Sequence, residues 1–191
     1  MKRIVGALFL PIWSVAPASA TSITWSSATL SDDNGGAFLT GASATAIGKV
    51  WTLTLPNYSI SGNFGLPPDE VDLGVSATAV GGVITGVTYR YAGLFAGVGS
   101  ASFVQSANAA SATGAFAAPN WVGFLPLAPV SVVNLLTVLN LDGGDFVDSA
   151  AVTSVQFELS ITDVPEPSTI VLVAVGAATL MRRRIRCSGS R

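Results

Sequence analysis

The chain has no histidine, a single cysteine and little charge, with 9 Lys and Arg and 11 Asp and Glu in 191 residues. Lack of imidazole and near-lack of thiol remove histidine-based triads, cysteine nucleophiles and most zinc or copper sites. The one cysteine, Cys187, lies beyond a C-terminal arginine block, so residues 21–163 contain no disulfide and must be held by their core. Basic residues are scarcest in that middle stretch. Only Lys49 and Arg90 stand there against ten acids, a net charge of −8 that the whole-chain value of −2 conceals. An acidic surface of that kind repels phosphate backbones and argues against nucleic acid as a partner.

The missing basic residues are at the two ends. Lys2-Arg3, the apolar run from Ile4 to Trp13 and the A-x-A site Ala18-Ser19-Ala20 have the dimensions of a signal peptide over residues 1–20. Signal peptidase is expected to cut after Ala20 and leave Thr21 as the new N-terminus. At the other end, Val164-Pro165-Glu166-Pro167-Ser168 leads into an apolar run ending at Met181, followed by Arg182-Arg183-Arg184-Ile185-Arg186 and a short tail, residues 187–191. A helix over residues 168–181 would reach about 21 Å at about 1.5 Å per residue. A hydrocarbon core of about 30 Å asks for more, so this is a short, transient anchor. Pro165 and Pro167 disfavour helix before them and hold the preceding strip extended, a shape that a processing enzyme can grip. Arginines at the end of the apolar run stop transfer and, with Lys2-Arg3, assign both flanks to the cytoplasm.

Proline-glutamate-proline motif, short apolar helix and basic block, in that order over residues 164–186, resemble the PEP-CTERM sorting signal. The resemblance implies export through the cytoplasmic membrane and cutting near Pro165-Glu166-Pro167 by a membrane-embedded exosortase. It further implies transfer to the cell surface or an exopolysaccharide matrix. The opening of the middle stretch, Trp25 followed by Ala28-Thr29-Leu30-Ser31-Asp32 and a Gly-Gly turn, is also similar to the start of many such proteins.

Residues 21–163 read as one all-β domain, an antiparallel β-sandwich or jelly roll, because short β-branched and aromatic runs alternate with Gly, Asn, Asp and Pro. An opening strand covers Ile23 to Leu30, and a weak strand of small residues Ala37 to Ile47. Trp51, Leu53 and Leu55 alternate with Val50, Thr52 and Thr54 in a strand from Lys49 to Leu55. Val71 to Ala77 alternates too, and Gly81-Gly82 then predicts a two-residue hairpin into Ile84 to Tyr91. Gly93 to Ala118 reads either as loose strands or as a long loop. Ser131 to Leu141 suits a buried strand or one short helix. Val155, Phe157, Leu159 and Ile161 mark a last strand that runs straight into the Pro-Glu-Pro motif.

Few residues in this domain could carry chemistry. A serine–lysine dyad would need Lys49, which is more simply a surface lysine. Asp69, Glu70 and Asp72 could pair as catalytic carboxylates, yet they sit at a strand start where charge ordinarily marks a solvated loop. Asp142, Asp145 and Asp148 are candidates for calcium but lack the D-x-D-x-D-G spacing, and a hairpin turn is the simpler reading. Trp25, Trp51, Trp121, Tyr58, Tyr89 and Tyr91 could include a sugar-stacking platform, although strand aromatics usually pack in a core. No cofactor is implied. The expectation is a non-enzymatic envelope or matrix protein, with a carbohydrate-binding module using exposed Trp or Tyr as the alternative.

Overall fold

Alternation of apolar and polar side chains produces twelve strands among the described residues of the computed structural model, which are 21–33, 36, 38–62, 69–145, 147–164 and 175–176. The strands are β1 (Ser22–Trp25), β2 (Thr29–Asp32), β3 (Ser43–Ile47), β4 (Val50–Thr54), β5 (Ser59–Ser61) and β6 (Asp69–Val80). They continue as β7 (Gly82–Ala96), β8 (Ser100–Ala107), β9 (Ala110–Phe116), β10 (Asn120–Val130), β11 (Val132–Asp142) and β12 (Ser149–Asp163). Thr21–Val164 form one unit of the chain. Met1–Ala20 and Pro165–Arg191 make up the other, in which only the helical pair Val175 and Gly176 is described. The expected signal-peptide site (Ala18, Ala20), Pro165, Glu166, Pro167, Ser168 and the arginines Arg182, Arg183, Arg184 and Arg186 therefore lie outside the described residues. No helix among the described residues is long and apolar enough to cross a membrane.

Two antiparallel sheets enclose the core. Sheet A has the order β1-β6-β11-β8-β9, with β2 on the same edge of β6 as β1; sheet B has the order β10-β7-β12-β4-β3, with β5 beside β4 on the edge of β12. Val71, Leu73 and Val75 of β6 and Leu135, Leu139 and Leu141 of β11 point inward from sheet A. They meet Leu53 of β4, Val87 and Tyr89 of β7, and Val155, Phe157 and Leu159 of β12 from sheet B, all of them buried. Removing each such side chain from water contributes about 1.5–3 kcal/mol. With no disulfide in the domain, this burial must offset the chain entropy.

Gly81-Gly82 is not a hairpin. β6 pairs only within sheet A and β7 only within sheet B, so Gly81, at φ 81°, passes the chain from one sheet to the other. Ser131 makes a second such crossing between β10 and β11. Period-two patterning fixes which side chains point inward, and both a hairpin and a crossing satisfy it.

Other expectations divide. The opening run is two strands broken at Ser26–Ala28, and the run from Ala37 narrows to β3, with Phe38–Gly41 in a turn. Lys49 lies in the β3–β4 turn, outside β4. The stretch Gly93–Ala118 is ordered as the end of β7 and the β8–β9 hairpin, and Ser131–Leu141 is a strand. That hairpin turns at Asn108, whose φ is 52°. Its side chain continues the sheet: Oδ1 accepts from Asn134 N at 2.9 Å and Nδ2 donates to Val132 O at 3.2 Å.

Candidate functional site

The two ends of the domain meet at the β6–β7 crossing. Thr21 Oγ1 donates to Gly81 O at 3.3 Å and also bonds the Asp163 carboxylate, while Val164 N donates to Gly81 O at 3.2 Å. Gly82 makes room for this contact, since a Cβ there would lie 2.8 Å from Thr21 Oγ1 and 3.0 Å from Thr162 O. The last described residues before the Pro-Glu-Pro motif are thus fastened to the body of the domain.

A second feature is the outer face of sheet B. Strand register aligns three rows across β10, β7, β12, β4 and β3: Asn120, Ala92, Ser154, Thr54, Ser43; then Val122, Arg90, Gln156, Thr52, Thr45; then Phe124, Thr88, Glu158, Val50, Ile47. Small Ala92 and Ser154 sit low between longer neighbours, leaving an open trough of about 310 Å³ walled by Asn120, Val122, Arg90, Gln156 and Thr52. Gln156 Nε2 donates to Thr52 Oγ1 at 3.2 Å. Phe124 is 53% exposed, and its ring lies over Gly86, where a Cβ would come within 2.4 Å of Cζ. Glu158 accepts from both cations of the domain, Lys49 Nζ at 3.1 Å and Arg90 Nη2 at 3.5 Å. The hydrogen bond from Lys49, with help from Arg90, holds the Glu158 carboxyl below its usual range.

The residues singled out from sequence fall mostly into structural roles. Lys49 pairs with Glu158 from the β3–β4 turn. On β6, Asp72 accepts from Ser31 Oγ at 3.5 Å on the outer face of sheet A, and Glu70 N donates to Asp33 Oδ1 at 3.0 Å. Burial, then the charge of Asp33, raises the Asp69 carboxyl above its usual range. Asp142 Oδ1 accepts from Gly144 N at 2.9 Å. Asp148 Oδ2 accepts from Asp145 N at 3.1 Å, and this buried carboxylate fills the space that a side chain at Gly97 would need. Asp142 and Asp148 brace the β11–β12 turn. Among the described residues no three acidic, histidine or cysteine side chains gather to hold a metal ion.

The aromatic candidates face inward. Trp51, Tyr58, Tyr89 and Tyr91 are buried, and Trp25 and Trp121 are half-buried against the same core. Trp51 stacks on Phe157 at 5.7 Å, Tyr91 on Phe116 at 5.7 Å, and Trp121 lies 4.5 Å from Phe103. Four of the six aromatic candidates are thus buried, Trp121 also lines the trough on sheet B, and the exposed aromatic on that outer face is Phe124. Alternation of Trp121, Gly123 and Leu125 with Val122, Phe124 and Pro126 carries its signal, blurred in sequence by the glycine and prolines.

Comparison with known proteins settles the C-terminal end. Residues 163–185 match the PEP-CTERM protein-sorting motif. The chain carries a PEP-CTERM sorting signal. That signal implies an exported protein processed by an exosortase. Its match begins at Asp163, the last residue of β12, so the PEP-CTERM signal is joined to the sheet without a linker. No curated protein matches the chain. Among solved structures, TmCBM61 in complex with beta-1,4-galactotriose is similar at a TM-score of 0.33 and 7% identity, over 75% of this chain and 90% of that one. A likeness that loose carries no argument about ligand.

Proposed function

We propose that residues 21–163 act as a non-catalytic envelope or exopolysaccharide-matrix protein, delivered by its PEP-CTERM signal. The observation that carries this reading is the motif match at 163–185. In this scheme signal peptidase removes residues 1–20, and the helix over 168–181 holds the chain transiently in the inner membrane. The basic block 182–186 stops transfer, and exosortase then cuts near Pro165-Glu166-Pro167. Supporting a passive role, Lys49, Asp142 and Asp148 are each engaged in pairing or bracing contacts within the fold.

Replacing Pro165-Glu166-Pro167 by three alanines leaves the apolar run and arginines intact. In a host with its exosortase, the altered chain is expected to accumulate uncleaved in the inner membrane while the parent reaches the surface. Intact mass and fractionation read both outcomes. Equal mass and equal location for the two chains would make the tail a simple anchor.

A further inference from the structure

We propose that the outer face of sheet B binds an acidic polysaccharide, with a uronate carboxylate on Arg90 and sugar hydroxyls in the adjoining trough. This deepens the matrix-protein reading and rests on it for the partner's location.

Charge distribution selects the ligand. Of the ten acids between Thr21 and Asp163, only Glu158 lies in the three aligned rows, whereas both cations of that stretch, Arg90 and Lys49, converge there. The face thus carries a net +1 while the remaining nine acids lie elsewhere on the domain. Within residues 21–163 a polyanion is repelled by the rest of the surface and meets its counter-charge only here. Arg90 is suited to the contact because its guanidinium has five donors and Glu158 engages one nitrogen at a loose 3.5 Å. Lys49 keeps Glu158 neutralised at 3.1 Å when Arg90 turns to another carboxylate.

Side chains around Arg90 suit hydroxyls. Asn120, Ser154, Gln156 and Thr52 line the trough with donors and acceptors, and its volume of about 310 Å³ lies at the low end for ligand sites. Val122, 53% exposed, lines the trough, and Phe124, also 53% exposed, lies two residues further along β10 on the same face; both offer apolar contact to the C–H faces of a sugar chain. The trough runs across strands rather than ending in a closed pocket, as an extended polymer requires.

The test titrates the purified full chain in detergent with oligogalacturonate, alginate oligomers and a neutral glucan of equal length, using calorimetry. Saturable binding is expected for the two uronates and none for the neutral glucan, and affinity should fall as sodium chloride rises. Arg90→Gln should weaken uronate binding at least tenfold. Val122→Asp, which puts a carboxylate at an exposed position beside Arg90, should abolish it without touching the core. Unchanged melting of both variants separates lost binding from lost folding. Equal binding of the neutral glucan, no binding at all, or unaltered affinity in Val122→Asp would overturn the proposal. Because binding is read on the uncut chain, failure here is distinct from failure of sorting.

Discussion

Thr21 and Asp163, 142 residues apart in sequence, are joined by a hydrogen bond from the threonine hydroxyl to the aspartate carboxylate. The residue expected to become the N-terminus thereby fixes the residue at which the sorting motif begins. Gly81 O lies beside this contact and accepts from Thr21 Oγ1 and from the N–H of the next residue, Val164.

Thr21→Ala should therefore cost about 0.5–1.5 kcal/mol, the usual net worth of such bonds. Asp163→Asn should cost less in the alanine background than in the parent, because the two share one interaction. Denaturant unfolding of the four chains gives the coupling directly; strict additivity would mean that the contact contributes nothing.

Between the sheets, Gln105 is the polar tie. Its Oε1 accepts from Tyr91 Oη at 2.9 Å and Thr137 Oγ1 at 2.5 Å, while Nε2 donates to Ser106 O and Leu136 O. Gln105 and Thr137 are fully buried. Gln105→Leu leaves Tyr91 and Thr137 without their acceptor and should destabilise the fold by about 1–3 kcal/mol or more. Adding Tyr91→Phe should recover part of that loss, measured by the shift of the unfolding midpoint.

All three tyrosines should resist ionisation in the folded chain. Burial raises the hydroxyl of Tyr58, Tyr89 and Tyr91 above its ordinary value, and nearby acids add to the effect at Tyr58. With folded values above the unfolded value of about 10, their contribution to stability is complete below pH of about 10 and lost as pH rises further. Absorbance near 295 nm should stay flat through pH of about 10 and then rise together with unfolding. A reversible, partial rise at pH of about 10 would place a tyrosine at the surface.

Folding should be slow for a domain of this size. Among the twelve strands only β3–β4 and β8–β9 pair with their neighbour in sequence, and every other ladder joins distant segments. Loop-closure entropy must be met before those contacts form. Stopped-flow refolding of the exported chain is expected in the range of about milliseconds to seconds; microsecond refolding would contradict this topology.

The sequence alone determined the inward face of β4, β6 and β12 and the presence of the sorting signal. Trp51, Leu53 and Leu55, or Val155, Phe157 and Leu159, declare their inward face because β side chains alternate, and a burial preference repeated every second residue needs no partner to be read. The sorting signal is equally legible because its enzyme reads a local stretch of chain. Tertiary structure alone decided which sheet each strand joined. Val80-Gly81-Gly82-Val83 has the local chemistry of a hairpin, yet β6 is taken by β11 and β7 by β12, so the crossing is set by residues about fifty to eighty positions away. The same holds for the face around Arg90: Val122, Gln156, Thr52 and Thr45 become neighbours only through register across five strands, and no spacing along the chain brings them together.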